Sequence, residues 1–320
     1  MEIDVVFTFV DASDVNWQKK INTYLDNKVN WKTTKQYTAY NSVNEIEFAV
    51  KSILKYAKFV RNIYIVTDNQ IPVFLKDKQK AKKDFPNVFI VDHKTIFEGY
   101  HQYLPTFNAR SIATMLYRIP NLSEHFLVFN DDVLLLSDVQ EKDFFIDGKL
   151  VVRGVWRSLD ENVLSKKIKQ FYLKVFQLKK RNKASHFKAQ QLAAKKLGFT
   201  KFLKTKHTPF PVKKSTLQNY FSKNKNEFEN NIKYKFRDST QFLTESLMYH
   251  LGIKNINIVL KKKYQLAYFQ NYRKPFFWLK YKVNKVEKSS DKLFLCMQSL
   301  DLCPPKKLAF IKSWLQKKYN

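Results

Sequence analysis

Glycine is the first scarcity, with 5 in 320 residues against the ~7% of an average protein. That shortage excludes collagen-like and linker-rich designs. Neither GxGxxG nor GxxxxGKS/T occurs, so dinucleotide binding and P-loop nucleotide hydrolysis lose their motifs. Cys296 and Cys303 are the only cysteines, too few for a disulfide framework or, alone, a four-ligand zinc site. They read as structural thiols in a reducing compartment. No uninterrupted apolar run reaches the ~18 residues of a membrane span. The opening Met1-Glu2-Ile3-Asp4 puts acids where a secretory leader has positive charge. The expectation is a cytoplasmic protein, at most peripheral on a membrane.

What is present is apolar and basic. At 44% hydrophobic and 16% aromatic, the chain can bury a large core, and disorder throughout is excluded. Lys+Arg 58 against Asp+Glu 28 gives a net charge of +30. Residues 1–150 hold 19 bases and 19 acids, whereas residues 151–320 hold 39 and 9. This asymmetry divides the chain into a neutral core, 1–150, and a basic, mainly helical part, 151–320, that meets something anionic. An acidic polymer and an anionic leaflet both qualify. Lysine far outnumbers arginine, which disfavours the bidentate forks of base and phosphate readout, so no nucleic acid is expected.

The first 150 residues alternate strand-like and helix-like stretches. Runs at 5–10, 62–67, 88–91 and 126–129 are apolar and β-branched or aromatic, as buried strands are. Helical patterns cover 15–25, capped by Ser13 or Asp14, then 43–59 and 109–118. Alternation with near-continuous apolar strands predicts an α/β fold: a Rossmann-like, mostly parallel sheet with helices on both faces. Residues 162–198 read as one or two lysine-rich helices with Val163, Ile168, Phe171, Tyr172, Val175 and Phe176 on one face, expected to pack on the domain rather than on a membrane. A helical pattern returns over 208–252. The tail reads as a strand near 294, a Pro304-Pro305 break and a last helix.

Ligands of such sheets bind beyond the carboxyl ends of the strands. Asp11, Asp68, Asp92 and the Asp131–Asp132 pair all fall there and together read as a site for a cation or charged substrate. Adjacent carboxylates repel, a cost offset by a cation or by many donors. Both can ligate only if the chain turns after the strand. Oxygen donors favour Mg²⁺ or Mn²⁺. Asp11 suits a nucleotide or a metal-bound water, and equally a helix cap. Arg110 and Arg118 suit phosphate or the surface. His207 sits in a loop beside Pro209, free to act as a base. Arg237 can hold phosphate bidentately or pair with Asp238.

Four blocks, in order, carry a resemblance. They are Ile3–Asp14 with Trp17; Glu45–Phe145, including Val60–Pro72, His93, Leu104–Asn108, Tyr117–Pro120 and Leu122–Val133; His207-Thr208-Pro209 through Phe236–Ser239; and Leu295–Gln298 with Ser299-Leu300-Asp301. The chain resembles the Stealth family of bacterial capsular polysaccharide phosphotransferases, related to the animal N-acetylglucosamine-1-phosphotransferase. The resemblance implies transfer of a sugar-1-phosphate from a UDP-sugar to a hydroxyl of a growing capsular polysaccharide, with UMP leaving. It puts catalysis on Asp132, His207 and Arg237, with Asp131 beside Asp132 at an Mg²⁺ or Mn²⁺ ion. Asp11, Asn108 and Arg118 become donor-binding candidates, and contact with the inner membrane or capsule assembly proteins is expected. One departure is Ala113, where many members carry Glu. The alternatives are a glycosyltransferase releasing UDP and a polyanion-binding scaffold.

Overall fold

The computed structural model describes residues 1–31, 40–176 and 184–320. In chain order the first half comprises β1 (Ile3–Thr8), α1 (Val15–Asn22), α2 (Glu45–Tyr56), β2 (Val60–Thr67), α3 (Lys78–Asp84), β3 (Val88–Asp92), α4 (His93–Ile96), α5 (Ala109–Met115), β4 (His125–Phe129), β5 (Val133–Leu135), β6 (Phe145–Ile146) and β7 (Lys149–Arg153). There follow β8 (Val155–Ser158), α6 (Leu164–Val175), α7 (His186–Lys196), β9 (Lys201–Lys204), β10 (Phe210–Lys213), α8 (Lys214–Lys223), α9 (Lys225–Ile232), α10 (Thr244–Lys254), β11 (Ile258–Lys261), β12 (Leu266–Phe269), α11 (Phe276–Glu287), β13 (Phe294–Met297) and α12 (Pro305–Tyr319).

The central sheet has the order β10-β4-β1-β2-β3. Its four sequence-predicted strands are parallel, and β10 joins antiparallel to β4. From Val5 to Phe7, β1 is inaccessible, as a strand covered on both faces must be, which explains its unbroken apolar run. Asp14 starts α1 by accepting the amides of Asn16 and Trp17, the capping expected of an Asp at that place. The chain leaves β1 toward β2 on one side, while β4 lies on the other, so the strand order reverses between β1 and β4. Ligand sites of open α/β sheets form at such reversals.

The basic half is woven into this frame. A single apolar cluster runs from Ile3 to Tyr319. Through β13, the tail pairs antiparallel with β5, and β12 adds parallel to β13. Within 208–252 the helical expectation fails at Phe210–Lys213, which is strand β10. Phe210, Pro211 and Val212 find partners along the exposed edge of β4, and an edge strand tolerates the proline. The expectation over 162–198 also needs correction. α6 does not pack its apolar face: Leu164, Ile168, Tyr172, Val175 and Phe176 are 54–71% exposed. The side chain of Phe171, and residues 177–183 of that stretch, lie outside the described residues. Among the described residues no helix is long and apolar enough to cross a membrane.

Candidate active site

After Phe129 the chain must leave the sheet for β5. It does so in a tight turn in which the amide of Val133 donates to the carbonyl of Asn130 at 3.1 Å. Side chains that would alternate faces in a strand are thereby brought round together. Burial pushes the Asp131 carboxyl well up, and Glu45 and Asp132 push it further. Glu45, the first residue of α2, is also pushed up by burial, although the amides of Glu45 and Val43 and the Ser42 hydroxyl pull it back. Three carboxylates therefore share one partly desolvated place, which only protons or a cation can neutralise.

Asp132 gathers the remaining chemistry. Its carboxyl is raised by burial and lowered by His207 and Cys296. One carboxylate oxygen, Oδ2, accepts from the Cys296 thiol at 3.4 Å. The other, Oδ1, is buried with no hydrogen-bond partner. An orphaned carboxylate oxygen costs on the order of 1–3 kcal/mol, more when charged, unless something binds it. Asp132, His207 and Cys296 each offer a ligand atom, all within 4.8 Å of one another. Register explains the convergence. Cys296 lies opposite Val133 in the β13–β5 pair, and the Met297 amide donates to the Asp132 carbonyl at 2.9 Å. His207 belongs to the β9–β10 loop, which the antiparallel pairing of β10 delivers to the carboxyl end of β4. There, His207 Nδ1 is 3.4 Å from Asn130 Nδ2.

Basic groups face the acids. His186 opens α7, and its ring stacks on that of His207 with centroids 5.6 Å apart. Though partly open to solvent, it is held down to about 4 by desolvation and then by His207, Arg110 and Arg237. Arg110 is buried in the first turn of α5 and donates to the carbonyls of Asp238 and Gln241. Burial, followed by repulsion from Arg237, weakens its hold on its proton. Arg237 is exposed on the α9–α10 loop. The repulsion between the two arginines is only partly offset by Glu245 and Asp238, which leaves positive charge where an anion would be held.

Of the sequence candidates, Asp132 and His207 meet, Asp131 adds its charge beside Asp132, and Arg237 acts on the same place through His186 and Arg110. The wider acidic rim does not form. Asp68 is ion-paired with Lys20 at 2.9 Å. Asp92 caps α4 through the Lys94 amide and accepts the Asn69 amide. Asp11 accepts the Ser13 amide at 2.8 Å in a local turn, while the cap of α1 is Asp14 and not Asp11. Two donor-binding candidates need correction. Asn108 is fully buried, and its amide nitrogen is spent on Phe236 and Tyr234 carbonyls and Gln241. Arg118 donates to the carbonyls of Ile96 and Glu98 and lines a cavity at the opposite end of the sheet. Ala113 faces a small cavity that Glu245 also lines; burial raises that carboxyl to about 7.

Sequence reading missed Glu45, His186 and the position of Cys296. The only early signal for Cys296 was its place in the last resembling block. Glu45 likewise had only its place at the start of the second block, and His186, inside a lysine-rich helical stretch, had none.

Acids and bases thus converge where the order of a mostly parallel sheet reverses, the place where ligands of such sheets bind. Residues 39–152 match the family described as "Stealth protein CR2, conserved region 2". A capsular polysaccharide phosphotransferase, fcs1 of Haemophilus influenzae, is 31% identical over 294 residues, covering 85% of this chain and 76% of the relative. Its counterparts cps1A of Actinobacillus pleuropneumoniae and LcbA of Neisseria meningitidis are 41% and 40% identical over 45% of this chain and 38% of their own length. The solved galactosyltransferase LgtC, bearing donor and acceptor sugar analogs, aligns over 99% of this chain at 10% identity with a TM-score of 0.43, too slight a likeness to carry an argument. The chain is a transferase, and it belongs to the Stealth family of capsular polysaccharide phosphotransferases.

Proposed function

We propose that the protein transfers a sugar-1-phosphate from a UDP-sugar to a hydroxyl of a growing capsular polysaccharide and releases UMP. The observation that carries this reading is the Asp131–Asp132 turn, with the orphaned Asp132 Oδ1 and His207 converging where the sheet reverses. A divalent cation, Mg²⁺ or Mn²⁺, would satisfy the orphaned Asp132 oxygen and offset the charge that Asp131 and Glu45 add beside it. Asp131 and Asp132 would hold it, with Glu45 behind them. Bound there, it would neutralise diphosphate charge and ease departure of the nucleotide.

The chain's own residues do the rest. The acceptor hydroxyl attacks the phosphorus that bears the sugar, and the bond from that phosphorus to the UMP oxygen breaks. The hydroxyl proton passes to the His207 ring nitrogen turned away from Asn130. Arg237 holds non-bridging oxygens, and Arg110, fixed by the Asp238 and Gln241 carbonyls, keeps positive charge behind it. Little bond-making is asked of the protein; positioning and charge carry the rate. Incubation with a panel of UDP-sugars and acceptor tests this by the nucleotide released. UMP supports the reading, whereas UDP would mean attack at the sugar carbon and sink it.

Peripheral contact with an anionic leaflet is supported by α6, whose exposed apolar stripe lies in a stretch containing Lys166, Lys167, Lys169 and Lys174. Such a face suits the interface of an acidic bilayer. Flotation with phosphatidylglycerol vesicles should fall sharply in the Ile168→Asp/Tyr172→Asp double variant. Equal flotation would count against it.

A further inference from the structure

One roomy cavity lies away from the acidic turn. It opens at the other end of the sheet, has a volume of about 370 Å³ and is lined by Tyr117, Arg118, Lys214, Gln218, Phe221 and Lys225 among others. Its place follows from the chain path. α5 leads away from the carboxyl rim and ends in the turn of Leu116–Arg118, while the Lys214 amide donates to the Glu124 carbonyl just before β4 begins. At ~3.3 Å per residue, the seven residues from Glu124 to Asp131 put the two places about 20 Å apart.

The cavity has two chemistries. Its floor is aromatic: the Tyr117 and Phe221 rings stack at 5.9 Å with 27° between planes, and Phe228 packs at 5.1 Å from Phe221 and from Tyr100. Its walls are cationic. Arg118 is locked by two carbonyls and by the Tyr100 ring, 5.1 Å away. The Lys214 ammonium donates to the Leu122 carbonyl at 3.4 Å. Among the described residues neither these two nor Lys225 is ion-paired with a carboxylate. Three cations without an ion-pair partner around one concavity are placed as an anionic ligand would require. Ring faces offer dispersion contact to the C–H face of a sugar. The volume falls toward the lower end of the ~300–1,000 Å³ typical of small-ligand sites.

We propose that this cavity is a second binding site for a phosphate-bearing sugar unit of the growing chain, the rings taking the sugar and Arg118, Lys214 and Lys225 its phosphodiester. This rests on the proposed phosphotransfer, because that reaction makes a polymer with a phosphate between sugars. The site would grip the polymer already made while the acidic turn works on its end. It also puts Arg118, expected at the donor, to a different anion.

Binding without donor separates this from the reaction. The probe is a synthetic, fluorescently labelled tetramer of phosphodiester-linked hexoses, compared with the neutral glycosidic tetramer and with glucose 1-phosphate as competitor. Wild-type protein should bind the charged tetramer at least tenfold more tightly than the neutral one, with an affinity that falls as salt is added. Lys214→Glu/Lys225→Glu should weaken it at least tenfold, and Lys225→Glu alone, at an exposed position, about threefold. Asp132→Asn should leave it unchanged. Undiminished binding in the lysine variants, loss in Asp132→Asn, or equal displacement by glucose 1-phosphate at matched phosphate each overturns the proposal. Release of UDP instead of UMP would overturn the proposed reaction while leaving these affinities to be read independently.

Discussion

The two ends of β4 differ in kind. Its carboxyl end gathers Glu45, Asp131 and Asp132 with a carboxylate oxygen left unpaired; its amino end gathers Arg118, Lys214 and Lys225 around an aromatic hollow. Both carry unmatched charge, of opposite sign. A folded chain tolerates unpaired carboxylates where a cation is taken up, and unpaired cations where an anion is. The contrast assigns bond-breaking to one rim and grip to the other. It also explains how a neutral first half and a basic second half serve one reaction, since β10 and α8 carry the second half along β4 from one rim to the other.

The largest break in that contrast comes at the acidic rim. Asp132→Asn should lower turnover by about a thousandfold or more, the scale of losing a main electrostatic stabiliser, with the fold's melting temperature little changed. Steady-state kinetics alongside a melting curve check both halves of that statement. His207→Ala should cost about a hundredfold or more in kcat with a smaller change in KM, as loss of a positioned base does. If instead KM alone rises, His207 binds the substrate and does not take the proton.

A structural prediction sharpens the comparison by touching neither rim's ligands. Asp4 is inaccessible and accepts two guanidinium hydrogen bonds from Arg61, at 3.0 and 2.7 Å, and the Ser123 amide. Asp4→Ala strips a buried network of its acceptor and should destabilise the protein by about 3–5 kcal/mol, read by urea unfolding. The Lys214 and Lys225 exchanges, being partly or wholly exposed, should leave that stability nearly intact.

The smallest effect is set by pH. Glu245 titrates near 7 in the folded protein because burial disfavours its charge, with Arg110 pulling the other way. In the unfolded chain it ionises near 4.5. Between those values the unfolded state loses a proton that the folded state keeps, so this group's contribution to stability is complete below about 4.5 and declines as pH rises through 7. Glu245→Gln should therefore gain on wild type across that window by on the order of 2 kcal/mol. Unfolding midpoints at pH 4.5 and 8 test it, and an equal difference at both would contradict the assignment.

The central sheet was legible because parallel strands covered on both faces announce themselves as unbroken apolar runs, and those runs at 5–10, 62–67, 88–91 and 126–129 overlap β1 to β4. The last strand and helix were legible for a similar reason, a proline pair marking where α12 starts. The short strands β5 and β10 were not, because three or four residues carry too little periodicity and their partners are distant in sequence. The same distance hid part of the site. Asp131, Asp132 and His207 stood out by type and setting, whereas Glu45 and His186 acquire meaning only when α2 and α7 arrive beside β4. Asn108 and Arg118 misled for the opposite reason: each is polar and suitably spaced, and each is consumed by backbone carbonyls that no local pattern reveals.

Identification of the nucleotide released from a UDP-sugar in the presence of acceptor, for wild type and Asp132→Asn with and without chelator, tests the division of labour between the rims most directly. UMP from wild type, nearly abolished by the substitution and by chelation, is the predicted result. UDP, or UMP formed undiminished by the Asp132→Asn protein, would contradict it.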